Sequence, residues 1–220
     1  MNSAQEVSQE EPAALIVDFG GVLTTSVIES FAQFCQDHGV DPETLKKVLS
    51  LEAEAGALHP LHMVETGQWQ AAEFNAHLSE RLSIGRDQPI EAHGLKDRLF
   101  AAIRPEPSVV MAVKRVREAG YLTALLSNSW GADGYPRETF DDLFDQVVLS
   151  GEVGLRKPHA EIYELAAQRL GVPASRCVFV DDLAINTKGA EAVGMIAIHH
   201  KDPVDTVREI ERLFGLSDQT

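Results

Sequence analysis

The chain has 220 residues, with 34 acidic against 19 basic side chains and a formal charge of −15. Its 44% hydrophobic and 24% charged residues are those of an ordinary globular protein, which excludes collagen-like, low-complexity and wholly disordered classes. The acidic balance argues against nucleic acid and anionic membrane surfaces as partners, since both are held by Lys and Arg. It does not exclude a phosphorylated small molecule, because one divalent cation and one lysine at a site outweigh a distant net charge.

Two cysteines, Cys35 and Cys177, are too few and too far apart for a disulfide framework and read as buried reduced thiols. Residues 1–12 are polar and acidic, without the basic and apolar regions of a signal peptide. No apolar run reaches the roughly 20 residues of a membrane span. The expectation is a cytoplasmic protein with short disordered tails over residues 1–12 and 217–220.

The first strong strand is 13–18, a continuous apolar run ending at Asp18 and followed by Gly20 and Gly21. Helical periodicity then takes over. Val27, Phe31, Phe34, Cys35 and His38 share one face, and Gly39 ends that helix. Asp41, Pro42 and Glu43 start another. Phe74, Leu78 and Leu82 mark a helix over 70–82, and Leu95, Leu99 and Ile103 a further one. After Pro105 helices and strands alternate: helix 107–119, strand 121–126, strand 146–149, helix 158–170, strand 177–180, helix 185–193, strand 195–198 and helix 203–214. The predicted fold is therefore α/β, a Rossmann-like parallel sheet with helices on both faces. Residues 13–25 and 105–216 form its core, and an all-helical cap is inserted over 26–104.

Polar residues follow three strands: Asp18, then Ser127 and Asn128, then Asp181 and Asp182. Ligands of an open parallel sheet bind at that edge. Lys157, before a helix, adds a cation. Asp18 is a carboxylate able to attack phosphorus or carbon. Asp18 and Asp182 suit Mg²⁺, a hard cation that takes oxygen ligands. Ser127 and nearby N–H groups suit phosphate oxygens, and Lys157 relieves the repulsion among the carboxylates.

These segments are Asp18-Phe19-Gly20-Gly21-Val22-Leu23, Leu126-Ser127-Asn128-Ser129-Trp130, Gly154-Leu155-Arg156-Lys157-Pro158 and Phe179-Val180-Asp181-Asp182-Leu183-Ala184-Ile185-Asn186. In order and spacing they resemble the four motifs of the haloacid dehalogenase (HAD) superfamily, subclass I, with a helical cap. The resemblance is strongest to the branch of the N-terminal phosphatase domain of soluble epoxide hydrolase. Asp133 after the second segment and Met195 after the fourth extend it. The resemblance implies a phosphatase of a small phosphorylated metabolite, with Asp18 as nucleophile and Mg²⁺ ligand. It makes the carbonyl of Gly20 and the carboxylate of Asp182 further ligands, with Asp181 helping to hold the metal or its waters. Ser127 and Asn128 bind the phosphoryl group, Lys157 bridges it to the nucleophile, and Gly21 and Trp130 join the substrate site.

One position departs from the pattern. Most phosphatases of the superfamily carry a second Asp, the general acid/base, where this chain has Gly20. General acid–base catalysis contributes about 10²–10⁴-fold. The expected preference is therefore for aryl, acyl or anomeric sugar phosphates, whose leaving groups need little protonation. Two other readings compete: a metabolite-binding protein of the same fold with weak turnover, and a 2-haloacid dehalogenase. The acidic pair 181–182 disfavours the latter. His59 with His62 and His199 with His200 lack zinc-ligand spacing and read as surface or loop residues. Arg156 reads equally well as a substrate contact or a solvent-facing side chain.

Overall fold

A computed structural model describes residues 11–50, 59–131 and 135–216. Residues 1–10 of the predicted tail over 1–12, the predicted tail over 217–220, and Asp133 lie outside the described residues.

Among the described residues the sheet has five parallel strands: β1 (Ala14–Val17), β2 (Leu122–Ser127), β3 (Gln146–Leu149), β4 (Cys177–Asp181) and β5 (Ile196–His199). Their spatial order is β3-β2-β1-β4-β5. β1 is therefore central, with β2 on one side and β4 on the other. Every side chain of β1 is buried, which is why it reads as an unbroken apolar run.

Alternation along β1 sends its side chains to two different cores. Leu15 and Val17 pack with Val109, Val113 and Val116 of α6 (Pro107–Glu118) and with Ile210 of α10 (Pro203–Leu213). Ala14 and Ile16 face the other way, against Ile162, Tyr163 and Ala166 of α8 (Ala160–Leu170) and Ala190 of α9 (Ala184–Ala192). Local chemistry sets the helix ends. Asp202 caps α10 by accepting from the amides of Val204 and Asp205, and Pro203 takes the first helical position. α8 begins at Ala160, two residues later than its periodicity predicts, because His159 is still extended at its N-cap.

Between β1 and α6 the described residues form five helices: α1 (Val27–His38), α2 (Pro42–Ser50), α3 (Pro60–Glu65), α4 (Ala71–Leu82) and α5 (Leu95–Leu99). They bury a third core, in which Phe34, Phe74, Leu78, Leu95 and Leu99 are almost fully enclosed. Each such side chain contributes about 1.5–3 kcal/mol by leaving water. The chain leaves and re-enters the sheet layer side by side, through an antiparallel bridge between Thr24 and Pro105. The amides of Thr25 and Glu106 lock this junction by donating to the carbonyls of Arg104 and Leu23, both at 2.8 Å.

Two short helices, α3 and α7 (Ser150–Val153), have no counterpart in the sequence reading, and α5 stops at Leu99, short of Ile103. Six and four residues are too few to display a 3.6-residue period. Among the described residues no helix is long and apolar enough to cross a membrane.

Candidate active site

Register places the site. Val17 pairs with Leu125 of β2 and with Val180 of β4. Asp18, the next residue, thus comes level with Asp181 of β4 and with Leu126 of β2, one residue before Ser127, and its amide donates to the carbonyl of Val180 at 2.9 Å. The chain runs on from β1 to β2 on one side and from β4 to β5 on the other, so the edge between β1 and β4 is the switch point where open α/β sheets leave a crevice.

Lys157 fills the centre of that crevice. It is fully buried, with Nζ 2.9 Å from Asp18 Oδ1 and 2.6 Å from Asp181 Oδ2, over the ring of Phe179 at 5.5 Å. Burial alone would lower the ammonium's pKa. The two carboxylates outweigh that cost and hold it above its ordinary value.

Asp181 is itself fully committed to neighbours. Oδ1 accepts from the amide of Leu183 and from Asn186 Nδ2, both at 2.9 Å, and Oδ2 takes Lys157. Those bonds make Asp181 a carboxylate that fixes the lysine. Asp182 is half-buried beside it. Gly21 has φ +77°, and a Cβ there would lie 2.4 Å from Asp182 Oδ2, so glycine is what lets this carboxylate lie against the loop after β1.

The carboxylates of Asp18, Asp181 and Asp182 offer oxygens all within 4.8 Å of one another. One ammonium faces them. Burial, together with the neighbouring carboxylates, raises Asp18 to about 7 in spite of Lys157, and burial followed by Asp181 raises Asp182 to about 6. The site is short of positive charge, and its donors are hard oxygens. That donor set fits a divalent cation such as Mg²⁺.

Ser127 Oγ is buried at the edge of the crevice, 3.0 Å from Tyr135 Oη, whose ring rests 4.9 Å from that of Phe19. Burial pushes the Tyr135 hydroxyl up to about 12, so it stays protonated. Asn128 is placed differently from expectation. Its side chain is spent on the backbone of Lys157, accepting from the amide at 2.8 Å and donating to the carbonyl at 3.1 Å. Gly21, expected at the substrate, instead sends its amide to Thr24 Oγ1 at 3.2 Å and is not on the cavity wall. Arg156 is mostly enclosed and does not line the cavity: its Nε donates to Glu65 Oε2 at 2.6 Å.

Above these groups opens a cavity of about 500 Å³. Asp18, Gly20, Ser127, Lys157 and Asp182 form its polar end. The remaining wall is mostly apolar in area, with Val27, Leu61, Phe100 and Ile103 from the segment between β1 and α6 and Trp130 and Leu183 from the strand-end loops, but Thr24, Glu65, Lys96 and Asp97 also line it. Trp130 also makes edge-on contact with Phe74 and Phe100, at 5.6 and 5.0 Å between ring centres, so it belongs to cavity and insert core alike. Tyr135, Glu65, Phe100 and Ile103 are site residues that no sequence pattern marks.

Residues 12–194 match the haloacid dehalogenase-like hydrolase family. The chain belongs to that family. It is 29% identical over 116 residues to a sesquiterpene phosphatase of Aspergillus oryzae, a match spanning 51% of this chain and 59% of that protein. It is 28% identical over 162 residues to bifunctional epoxide hydrolase 2 of Mus musculus, spanning 70% of this chain and 27% of that protein. It is 31% identical over 106 residues to a glyceraldehyde 3-phosphate phosphatase of Methanopyrus kandleri, spanning 46% of each. These matches thus take in about a quarter to three-fifths of the curated relatives' length. A HAD-like family hydrolase of Porphyromonas gingivalis shares the fold at a TM-score of 0.72 and 20% identity, over 96% of this chain and all of that one. So does a HAD family enzyme of Bacteroides thetaiotaomicron in complex with magnesium and inorganic phosphate, at 0.66 and 21%, over 86% of this chain and 94% of that one.

Proposed function

We propose that the protein is a magnesium-dependent phosphatase. In this reading it hydrolyses a small phosphate monoester with an apolar group, through an aspartyl-phosphate on Asp18. The observation that carries the reading is the buried Lys157 ammonium between Asp18 and Asp181 at the polar end of the cavity, with Asp182 beside them. Such an array suits a phosphoryl group, whose transfer needs mainly positioning and charge stabilisation.

An Asp18 carboxylate oxygen attacks phosphorus. The ester P–O bond breaks, its electron pair leaves with the ester oxygen, and that oxygen takes a proton from water. A second water then cleaves the aspartyl-phosphate, regenerating the carboxylate and releasing inorganic phosphate. Lys157 balances charge between nucleophile and phosphoryl oxygens, with Asp181 holding it in place. Ser127 Oγ, kept in position by Tyr135, and the main-chain N–H groups after β2 hold the phosphoryl oxygens. Asp18, Asp182 and the carbonyl of Gly20 are the groups that would hold Mg²⁺, which supplies the missing positive charge. Residues 26–104 act as the cap and supply much of the wall that selects substrate.

The predominantly apolar area of the wall favours an aryl or isoprenoid-like group, which leaves water more readily than a sugar does. The resemblance to a sesquiterpene phosphatase agrees with this. The buried thiols Cys35 and Cys177 suit a reducing compartment such as the cytoplasm. The test is phosphate release from a panel of aryl, isoprenyl and sugar phosphates, with and without Mg²⁺, and with Asp18→Asn as control. Release from apolar esters that needs both Mg²⁺ and Asp18 supports the reading. A sugar phosphate as best substrate contradicts its apolar part.

One observation favours a second reading, an ester-binding protein with slow turnover: Gly20 carries no acid/base. Tight binding of apolar phosphates without release would select it. Halide release from 2-haloacids would select the dehalogenase instead.

A further inference from the structure

We infer that Glu65 is a positioning residue for this site: it closes a ring of hydrogen bonds that joins the helical insert to both the loop after β2 and Lys157. Its catalytic half rests on the phosphatase reading; its structural half does not.

The ring runs through both faces of Glu65. Its main-chain carbonyl accepts from the hydroxyl of Ser150, and that same Ser150 Oγ accepts from the amide of Ser129 at 2.8 Å. Ser129 Oγ in turn accepts from the amide of Gly151 at 2.9 Å. Asn128, the neighbour of Ser129, holds the amide and carbonyl of Lys157. Arg156, the neighbour of Lys157, returns to the Glu65 side chain at 2.6 Å. Most of the ring is enclosed: Ser129, Ser150 and Lys157 are buried, and the side chains of Glu65 and Arg156 are 7% and 17% exposed. The insert meets the core closely here, since a Cβ on Gly67 would come within 2.3 Å of the Gly151 carbonyl oxygen.

Cohesion alone would be served as well by two apolar side chains, because desolvating an ion pair offsets most of its attraction. Directional bonds add register. Lys157 Nζ has to reach Asp18 and Asp181 together, and displacements of the order of 1 Å at such a group are costly. Glu65 is moreover the one link supplied by the insert, so the ring is complete only when α3 is seated against α7. Seating of the insert and placement of the lysine thereby become one event.

The test uses the full chain and Glu65→Gln, which keeps the size and the main-chain carbonyl but removes the charge. Amide hydrogen exchange at Ser129 and Lys157 is expected to quicken about tenfold, with exchange at Leu15 and Val178 in the sheet unchanged. With p-nitrophenyl phosphate, kcat is expected to fall about tenfold while KM stays within about twofold. Glu65→Gln/Arg156→Met is expected to be no slower than the slower single variant, as for residues acting through one contact. Unchanged exchange at Ser129 and Lys157, or losses that add, would overturn the inference. If the wild-type chain releases no phosphate from any ester, the phosphatase reading fails and the exchange arm still decides the ring. Should Glu65→Gln not fold, Arg156→Lys, which keeps the charge without the Nε geometry, is read in the same way.

Discussion

The Cγ2 methyl of Val27 occupies the space that any side chain at Gly20 would enter: a Cβ there would come to 2.9 Å from it. Val27 opens α1, so the first helix of the insert fills the place where most phosphatases of the family carry their acid/base Asp. Val is β-branched and nearly fixed in one rotamer on a helix, so it cannot swing aside cheaply. Gly20→Asp alone is therefore expected to lower stability by about 1–3 kcal/mol through overpacking. It should do little for activity. Gly20→Asp combined with Val27→Ala is expected to restore stability and raise alkyl phosphate hydrolysis about tenfold or more, a part of what general acid catalysis contributes. Melting curves and alkyl phosphate assays of both variants check this.

Without that acid, the leaving group has to depart largely unaided. Aryl phosphates are expected to turn over at least about tenfold faster than alkyl phosphates of equal size, with the gap narrowing in the double variant. Equal rates, with chemistry shown to limit turnover, contradict this account of Gly20.

Tyr135 makes a separate prediction. Tyr135→Phe keeps the ring on Phe19 but removes the partner of Ser127 Oγ, a buried hydroxyl. The unpaired group costs about 1–3 kcal/mol. The Ser127 hydroxyl, which the proposed mechanism sets against the phosphoryl group, is then free to rotate, so KM for the ester is expected to rise, whereas a purely packing role for Tyr135 leaves KM unchanged.

The raised carboxylates link metal, proton and stability. Asp18 at about 7 and Asp182 at about 6 stand above the ordinary value of 3.8. From about pH 4 to about pH 7 the folded chain therefore keeps protons that the unfolded chain has lost, and these groups' contribution to stability falls as pH rises. A divalent cation competes with those protons. The rise in Tm on adding Mg²⁺ is thus expected to grow from about pH 5 to about pH 8. At 100 times its Kd the ion contributes about 2.7 kcal/mol. Thermal melts across pH, with Ca²⁺ and chelator as controls, check the sign. A larger Mg²⁺ effect at low pH contradicts it.

What the sequence discloses follows from the range of each interaction. Asp18, Ser127 and Asp181 are legible because each ends a strand whose apolar run shows in the chain itself. That Asp18 and Asp181 share Lys157 is suggested by the strand-end pattern and strengthened by the resemblance of four separated motifs, but no local pattern shows the contacts themselves. The engagement of Asn128 with the Lys157 backbone, and of Arg156 with Glu65, spans 29 and 91 residues and leaves no local pattern. Gly20 shows as a missing carboxylate, but that Val27 fills its space depends on how α1 meets β1. The α3 helix carrying Glu65 is too short to announce itself by period.

The central claim is that Asp18 attacks phosphorus with a cation present, and release of inorganic phosphate from p-nitrophenyl phosphate by wild type and Asp18→Asn tests it most directly. The account predicts Mg²⁺-dependent release that chelator abolishes and that Asp18→Asn lowers by about 10⁴-fold or more, as loss of a nucleophile does. Release that survives either Asp18→Asn or removal of the metal would contradict it.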